Sequence, residues 1–280
     1  MSTNCAQLKG KLNSFKNELK QSNAGLFTLQ ETDYETKGKV QVKDFEIFEA
    51  IRTKVKGGTM IGAHKALKPC LIEEYNDTFE LLVIEITAAN RAIRVITGYG
   101  PQENLQESER MPFFIALEEE IVKAELAGKS IIIEMDANSK LGPELIPGDI
   151  HKQSDNGKIL ADIIGRHSLI IGNSMKQCKG LITRKRITKN GTEESIIDFI
   201  LFSDDLKNDI EAIVIDDERK NVLTKLSKTQ NGVRKVESDH NSIYTHLNLA
   251  WEKRFKMQRQ ELFNLKNKDC QEIFREATQV

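Results

Sequence analysis

"ELLVIEITAANRAIRVITGYG", residues 80–100, decides the fold. It reads as two apolar runs, 80–86 and 91–100, with only residues 87–90 between them. Runs rich in β-branched residues and closed by Asn or Gly read as strands. Two strands this close in sequence leave no room for the helix that a doubly wound parallel sheet inserts between its strands. Further runs of the same kind are "GLFTLQE" (25–31), "KSIIIEMDAN" (129–138), "SLIIGN" (168–173) and "ESIIDFILFS" (194–203). "GGTMIGA" (57–63) reads as another strand, entered through paired glycines. Between them, Leu8, Leu12, Phe15 and Leu19 form one helical stripe. Phe113, Phe114, Leu117, Ile121 and Leu126 form a second, stopped by Gly128, and residues 156–166 suggest a third, shorter helix. Strands outnumber helices and often follow one another directly. The expected class is α+β, with two sheets packed face to face and helices outside.

The chain has 280 residues, 39% of them hydrophobic and 30% charged, which describes an ordinary globular composition with a substantial core. Residues 1–250 are expected to form the domain. Residues 251–280, highly charged with scattered Phe255, Leu262, Leu265 and Phe274, read as a helical tail or linker. No run approaches the ~18 apolar residues of a membrane span, and the N-terminus lacks the apolar core of a signal peptide. An intracellular location without a membrane partner is expected. The four cysteines are far apart, as reduced thiols would be.

Net charge is −1, so no global basic signature points to nucleic acid. Charge is uneven, however. "KQCKGLITRKRITK" (176–189) carries Lys176, Lys179, Arg184, Lys185, Arg186 and Lys189 without one acid. Such a run serves as a solvated loop or as a grip on a phosphate backbone. Lys179, Arg184, Lys185 and Arg186 are the candidate DNA contacts.

Polar residues gather where strands end. Glu31 closes "LFTLQE", Tyr99 closes "RAIRVITGY", and Asp136 with Asn138 closes "SIIIEMDAN". On a strand, residues two apart point to one face, so Asp136 and Asn138 are expected to share it. Glu31 is either a turn carboxylate or a hard oxygen ligand of the kind Mg²⁺ prefers. Asp198 lies among Ile196, Ile197, Phe199, Ile200 and Leu201, so its carboxylate is expected to be buried and therefore paired. His240, in "SDHNSI", is the natural partner, because a carboxylate behind an imidazole fixes its tautomer. His64, His151, His167 and His246 show no carboxylate neighbour of this kind and read as structural or exposed.

With these residues in order, the chain resembles the endonuclease/exonuclease/phosphatase superfamily. More narrowly, it resembles the apurinic/apyrimidinic-endonuclease-like domain of non-LTR retrotransposons. "TNCAQLKGKL", "LFTLQET", "GYGPQ", "MDANSKLG", "SIIDFIL" and "SDHNSI" carry the likeness in the family's order, across residues 3–243. The tail segment "FNLKNKDCQEIF" looks like the connector that precedes a reverse transcriptase in such elements.

The resemblance implies a four-layered α/β sandwich, deoxyribonuclease-like, and Mg²⁺-dependent hydrolysis of DNA phosphodiester bonds, with Mn²⁺ as a substitute. Glu31 matches the metal-binding glutamate, Asn4 an asparagine that organises the metal site, and Asp239 an aspartate near the metal. Asp136 matches the aspartate that orients or deprotonates the attacking water, and Asn138 its companion amide. Tyr99 and His240 match phosphate-contacting groups. Ser195 and Asp198 match a serine and an aspartate of one strand, with Asp198 supporting the histidine. The implied setting is the target-nicking domain of a retrotransposon, acting on DNA in the nucleus beside a reverse transcriptase.

Two departures stand out. Only three residues precede Asn4, so the strand that carries it is expected to be largely missing, and Ala6 replaces an acid found two residues after that asparagine. A phosphatase or phosphodiesterase of the same superfamily and a decayed DNA-binding fragment are the competing readings. "IIDFIL" in place of a Trp-Cys-Asp-Arg signature argues against the inositol polyphosphate 5-phosphatases. The absence of histidine from "GYGPQENLQESER" argues against pancreatic-type deoxyribonucleases.

Overall fold

The computed structural model describes residues 1–52, 57–75, 79–189, 191–229 and 232–249. The expected tail, 251–280, lies outside them. In chain order the strands begin with β1 (Ser2–Asn4), β2 (Leu26–Gln30), β3 (Phe45–Ala50), β4 (Thr59–His64) and β5 (Cys70–Tyr75). β6 (Glu80–Ala88), β7 (Arg91–Tyr99), β8 (Ser130–Asp136), β9 (Ile170–Ile171) and β10 (Cys178–Lys179) follow. The remainder are β11 (Arg184–Thr188), β12 (Gly191–Ser195), β13 (Asp198–Phe202), β14 (Ile210–Ile215), β15 (Thr224–Thr229), β16 (Gly232–Glu237) and β17 (Ile243–Leu247). Among the described residues three α-helices accompany them: α1 (Leu12–Ser22), α2 (Glu107–Leu126) and α3 (Asp155–Arg166).

The strands form a seven-stranded sheet, β10-β14-β17-β1-β2-β4-β3, and a six-stranded sheet, β5-β6-β7-β8-β13-β9. Pairing is mostly antiparallel, with parallel contacts at β1–β2, β7–β8 and β10–β14. β11–β12 and β15–β16 are separate two-stranded ribbons.

Side-chain alternation builds the layers. Along β8, Ile131, Ile133 and Met135 pack with Phe113, Leu117, Ile121, Leu160 and Ile163 of α2 and α3. Ile132, on the opposite face, joins Leu82, Ile84, Val95, Ile200, Ile213 and Ile243 between the two sheets. On the far side of the seven-stranded sheet, Phe15 and Leu19 of α1 pack with Phe27, Leu29 and Met60. The result is helix, sheet, sheet, helix. A strand buried on both faces must be apolar on both faces, which is why "SIII" heads β8. Gly128 ends α2 as expected, with a φ of 61° and Lys129 N–H donating to Ala124 O at 3.0 Å. Among the described residues no helix is long and apolar enough to cross a membrane.

Several expectations need correction. The run 194–203 is two strands, because at Ile196–Ile197 the chain passes from a ribbon to the six-stranded sheet. The amides of Ile197 and Asp198 donate there to Thr183 Oγ1, at 3.0 and 3.1 Å. The run 168–173 keeps only Ile170–Ile171 as strand before a 3₁₀ turn at Gly172–Ser174. Leu8 is buried but precedes α1, which starts at Leu12. The strand carrying Asn4 is short yet formed, parallel to β2 with Asn4 opposite Gln30.

Candidate active site

Register brings the candidate residues to one end of the sandwich. In the six-stranded sheet Tyr99 pairs with Asp136, and Asp136 with Asp198, so the three lie in one row. In the facing sheet Asn4 ends β1, and Glu31 follows β2 directly, with a φ of 51° that turns it out of the strand. Asn4 joins the two sheets. Its Nδ2 donates to Asp136 Oδ2 at 2.7 Å and to Glu31 Oε1 at 3.2 Å. Its Oδ1 faces away, accepting from the Ala6 amide at 2.8 Å. Asn4 therefore holds two carboxylates together through its amide nitrogen.

His240 stands just ahead of β17 and is buried. Its Nδ1 lies 2.9 and 3.0 Å from the two oxygens of Asp198, and its Nε2 lies 3.8 Å from Asp136 Oδ2. Burial works to lower the imidazole pKa, but Asp198, Asp136 and Asp239 outweigh it and raise it to about 9. Burial and the neighbouring Asp198 push the Asp136 carboxyl up to about 7, against the pull of His240 and Asn4. Burial, then Glu31 and Asp136, pushes the Tyr99 phenol far above its ordinary range. At neutral pH His240 and Tyr99 are both hydrogen-bond donors beside a carboxylate able to take a proton.

Asn138 departs from the same-face expectation, because β8 ends at Asp136 and Asn138 adopts a left-handed φ of 44°. It still serves the site. Its amide N–H donates to Asp136 Oδ1 at 3.0 Å, and its Nδ2 donates to Gly100 O at 2.9 Å. Gly100 must be glycine here, since an added Cβ would sit 2.3 Å from Ala137 O.

Asp239 is half-buried, and Arg184 Nε and Nη2 both reach its Oδ2 at 3.0 Å. Burial raises its carboxyl pKa, but His240 and Arg184 prevail and hold it below the usual range. Of the basic candidates, Arg184 is thus committed to the site's edge, Lys185 pairs with Glu194 at 2.7 Å, and Arg186 is exposed on β11. Lys179 lies apart from that ribbon, in a groove shared with Glu211, Asp216 and Asp217.

The donor set fits a hard divalent cation. Glu31 and Asp136 offer adjacent carboxylates, the kind of oxygen ligands Mg²⁺ takes while keeping several waters. Ligand atoms of Asp136, Asp198 and His240 also lie within 4.8 Å of one another. That trio is closed on itself, because both Asp198 oxygens face His240 Nδ1.

Sequence reasoning missed the supports. Thr183 is buried and caps the start of β13. Ser238 Oγ donates to Asn4 O at 2.9 Å and accepts from the His240 amide. Asn173 Nδ2 donates to Asp198 O at 3.0 Å. Of these, only Ser238 lies inside a motif that carries the family resemblance, "SDHNSI", which is the one signal that could have found it. Two histidines read as lacking carboxylates have them: His151 Nδ1 is 2.9 Å from Asp149, and His167 lies between Glu125 and Glu118 at 2.9 and 3.2 Å.

No family model and no curated protein matches the chain. Solved structures do. The endonuclease domain of TRAS1, a telomere-specific non-LTR retrotransposon, aligns at a TM-score of 0.60 and 17% identity, covering 89% of this chain and 98% of that one. The AP endonuclease LMAP from Leishmania major aligns at 0.65 and 12%, covering 88% and 86%. The Xenopus laevis APE2 catalytic domain aligns at 0.65 and 15%, covering 89% and 92%. At these identities the likeness establishes the fold: the chain is a layered α+β sandwich of the kind seen in the TRAS1 endonuclease domain and in AP endonucleases.

Proposed function

We propose that the chain is a metal-dependent endonuclease that hydrolyses DNA phosphodiester bonds. The observation that carries this reading is the junction of Glu31, Asn4 and Asp136 across the two sheets, with the Asp198-braced His240 beside it. Asp136 would hold and deprotonate the attacking water, its two oxygens fixed by Asn4 and by the Asn138 amide. His240 Nε2–H and the Tyr99 hydroxyl would donate to the non-bridging phosphate oxygens, as preorganised charge aimed at the transition state. Glu31 and Asp136 would hold Mg²⁺ or Mn²⁺, with Asp239 nearby; a bound cation would neutralise charge developing on the phosphate. Arg186, exposed on β11, would grip the flanking backbone without reading sequence.

The likeness to TRAS1's endonuclease domain supports a role in nicking target DNA for a non-LTR retrotransposon. Under that reading the substrate is nuclear DNA, and a reverse transcriptase domain works with this one. The test is nicking of supercoiled plasmid with Mg²⁺ and with EDTA. Cleavage that survives EDTA, or equal cleavage by the wild type, Asp136→Ala and His240→Ala, rules the proposal out.

A further inference from the structure

Lys11 is a lysine with 1% of its surface exposed, one residue before α1. A buried ammonium is costly unless its protons are taken up by acceptors. Here Nζ donates to two consecutive backbone carbonyls, Cys5 O at 2.5 Å and Ala6 O at 2.7 Å. Consecutive carbonyls converge on one point only where the backbone turns sharply. Ala6 and Gln7 have φ values of 40° and 74°, a left-handed pair without glycine. Such a residue is strained and persists only where its surroundings hold it.

That turn follows Asn4 directly. Its amides also trace the segment carrying the metal-binding candidate: Cys5 N–H donates to Gln30 O at 2.9 Å, Gln7 N–H to Glu31 O at 2.9 Å, and Leu8 N–H to Thr32 O at 3.2 Å. The Ala6 amide fixes Asn4 Oδ1, which decides that the Asn4 NH₂ faces Glu31 and Asp136. Lys11 also presents its charge to Asp239 and Glu31, though it donates to neither.

We infer that Lys11 is a positioning residue for the site, clamping the Cys5–Gln7 turn so that the Asn4 amide is held against Glu31 and Asp136. The inference rests on the nuclease reading for its catalytic consequence, but the clamp can be measured without activity. In Lys11→Met, amide hydrogen exchange at Cys5, Gln7 and Leu8 should accelerate at least about tenfold, with β6 to β8 unchanged. In the nicking assay the same variant should lose about tenfold or more in kcat, with KM for DNA within about twofold of wild type. Because Lys11 acts through Asn4, Lys11→Met combined with Asn4→Ala should be no slower than Asn4→Ala alone.

Unchanged protection at Cys5–Leu8, or kcat losses that multiply in the double variant, would overturn the inference. Should Lys11→Met fail to fold, Lys11→Leu, likewise without a donor, takes its place in each arm. If the wild-type protein does not cleave DNA, the nuclease reading falls, and the exchange experiment still decides the clamp.

Discussion

His240 Nδ1 sits equally close to both oxygens of Asp198, at 2.9 and 3.0 Å, so the imidazole is held by a symmetric carboxylate cradle. The cradle keeps the ring cationic and points Nε2 toward Asp136. Asp198→Asn should cut nicking by about 100-fold, in the range seen when a proton-handling group is disturbed. In the metal-free protein the His240 ring proton, followed by NMR, should titrate near pH 9 and fall sharply in the variant. An imidazole whose folded pKa is raised stabilises the fold fully below its unfolded value, about 6.5, and this contribution is lost as pH rises through about 9.

Asn4 places a neutral NH₂ donor between two carboxylates, so its polarity matters more than its size. Asn4→Asp would set three acids together. The variant should unfold at lower temperature than Asn4→Ala when metal-free, because like charges within a few ångströms repel strongly. Added Mg²⁺ should raise its melting temperature by more than it raises that of Asn4→Ala. A thermal-shift series with and without Mg²⁺ checks this; equal Mg²⁺ shifts in the two variants would count against a cation at Glu31 and Asp136.

Arg184 and Arg186 should behave differently although they are two residues apart on β11. Arg186 is exposed, and its loss should weaken DNA binding at every sequence and reduce the slope of log affinity against log salt by about 0.9. Turnover at saturating DNA should not change. Arg184→Ala should instead lower turnover, because it releases Asp239 beside His240. Salt-dependent binding and saturating kinetics on the two variants separate these effects.

Glu18, buried on α1, accepts a hydrogen bond from the Tyr244 hydroxyl at 2.5 Å. Burial raises its carboxyl pKa from 4.5 to about 7, against the pull of Tyr244 and Ser242. Between those values the folded protein keeps a proton that the unfolded chain releases. Stability should therefore fall as pH rises across the window, by roughly 3 kcal/mol in total. Glu18→Gln should flatten that fall, and it should be more stable than wild type above pH 7. Urea unfolding at pH 4.5 and 8 tests it.

How much was legible beforehand depended on the kind of signal. Consecutive apolar runs and their turn residues sufficed for β6, β7 and β8 and for most of each helical stripe, because period and punctuation are local properties, although Leu8 lies ahead of α1 and Leu126 is exposed. Asp198 stood out because an acid inside "SIIDFIL" must be paired, and His240 because it follows an acid in a strand-entering turn. The break at Ile196–Ile197 was not legible, since it comes from Thr183 Oγ1 accepting two amides from a distant segment. Lys11 carries no local mark of its role in the sequence. Its burial follows from the turn it clamps.

The sequence by itself determined the layered strand-rich class, the residue types of the site and their placement at strand ends, because hydrophobic period and chemical identity are written locally. Tertiary structure alone decided that Tyr99, Asp136 and Asp198 share one row and that Asn4 faces them from the other sheet. It alone decided that Arg184 serves Asp239 and that Asn138 works from a left-handed turn. Register and sheet packing are set by contacts between residues far apart in the chain, and one residue of slip would turn every side chain of a strand to the wrong face.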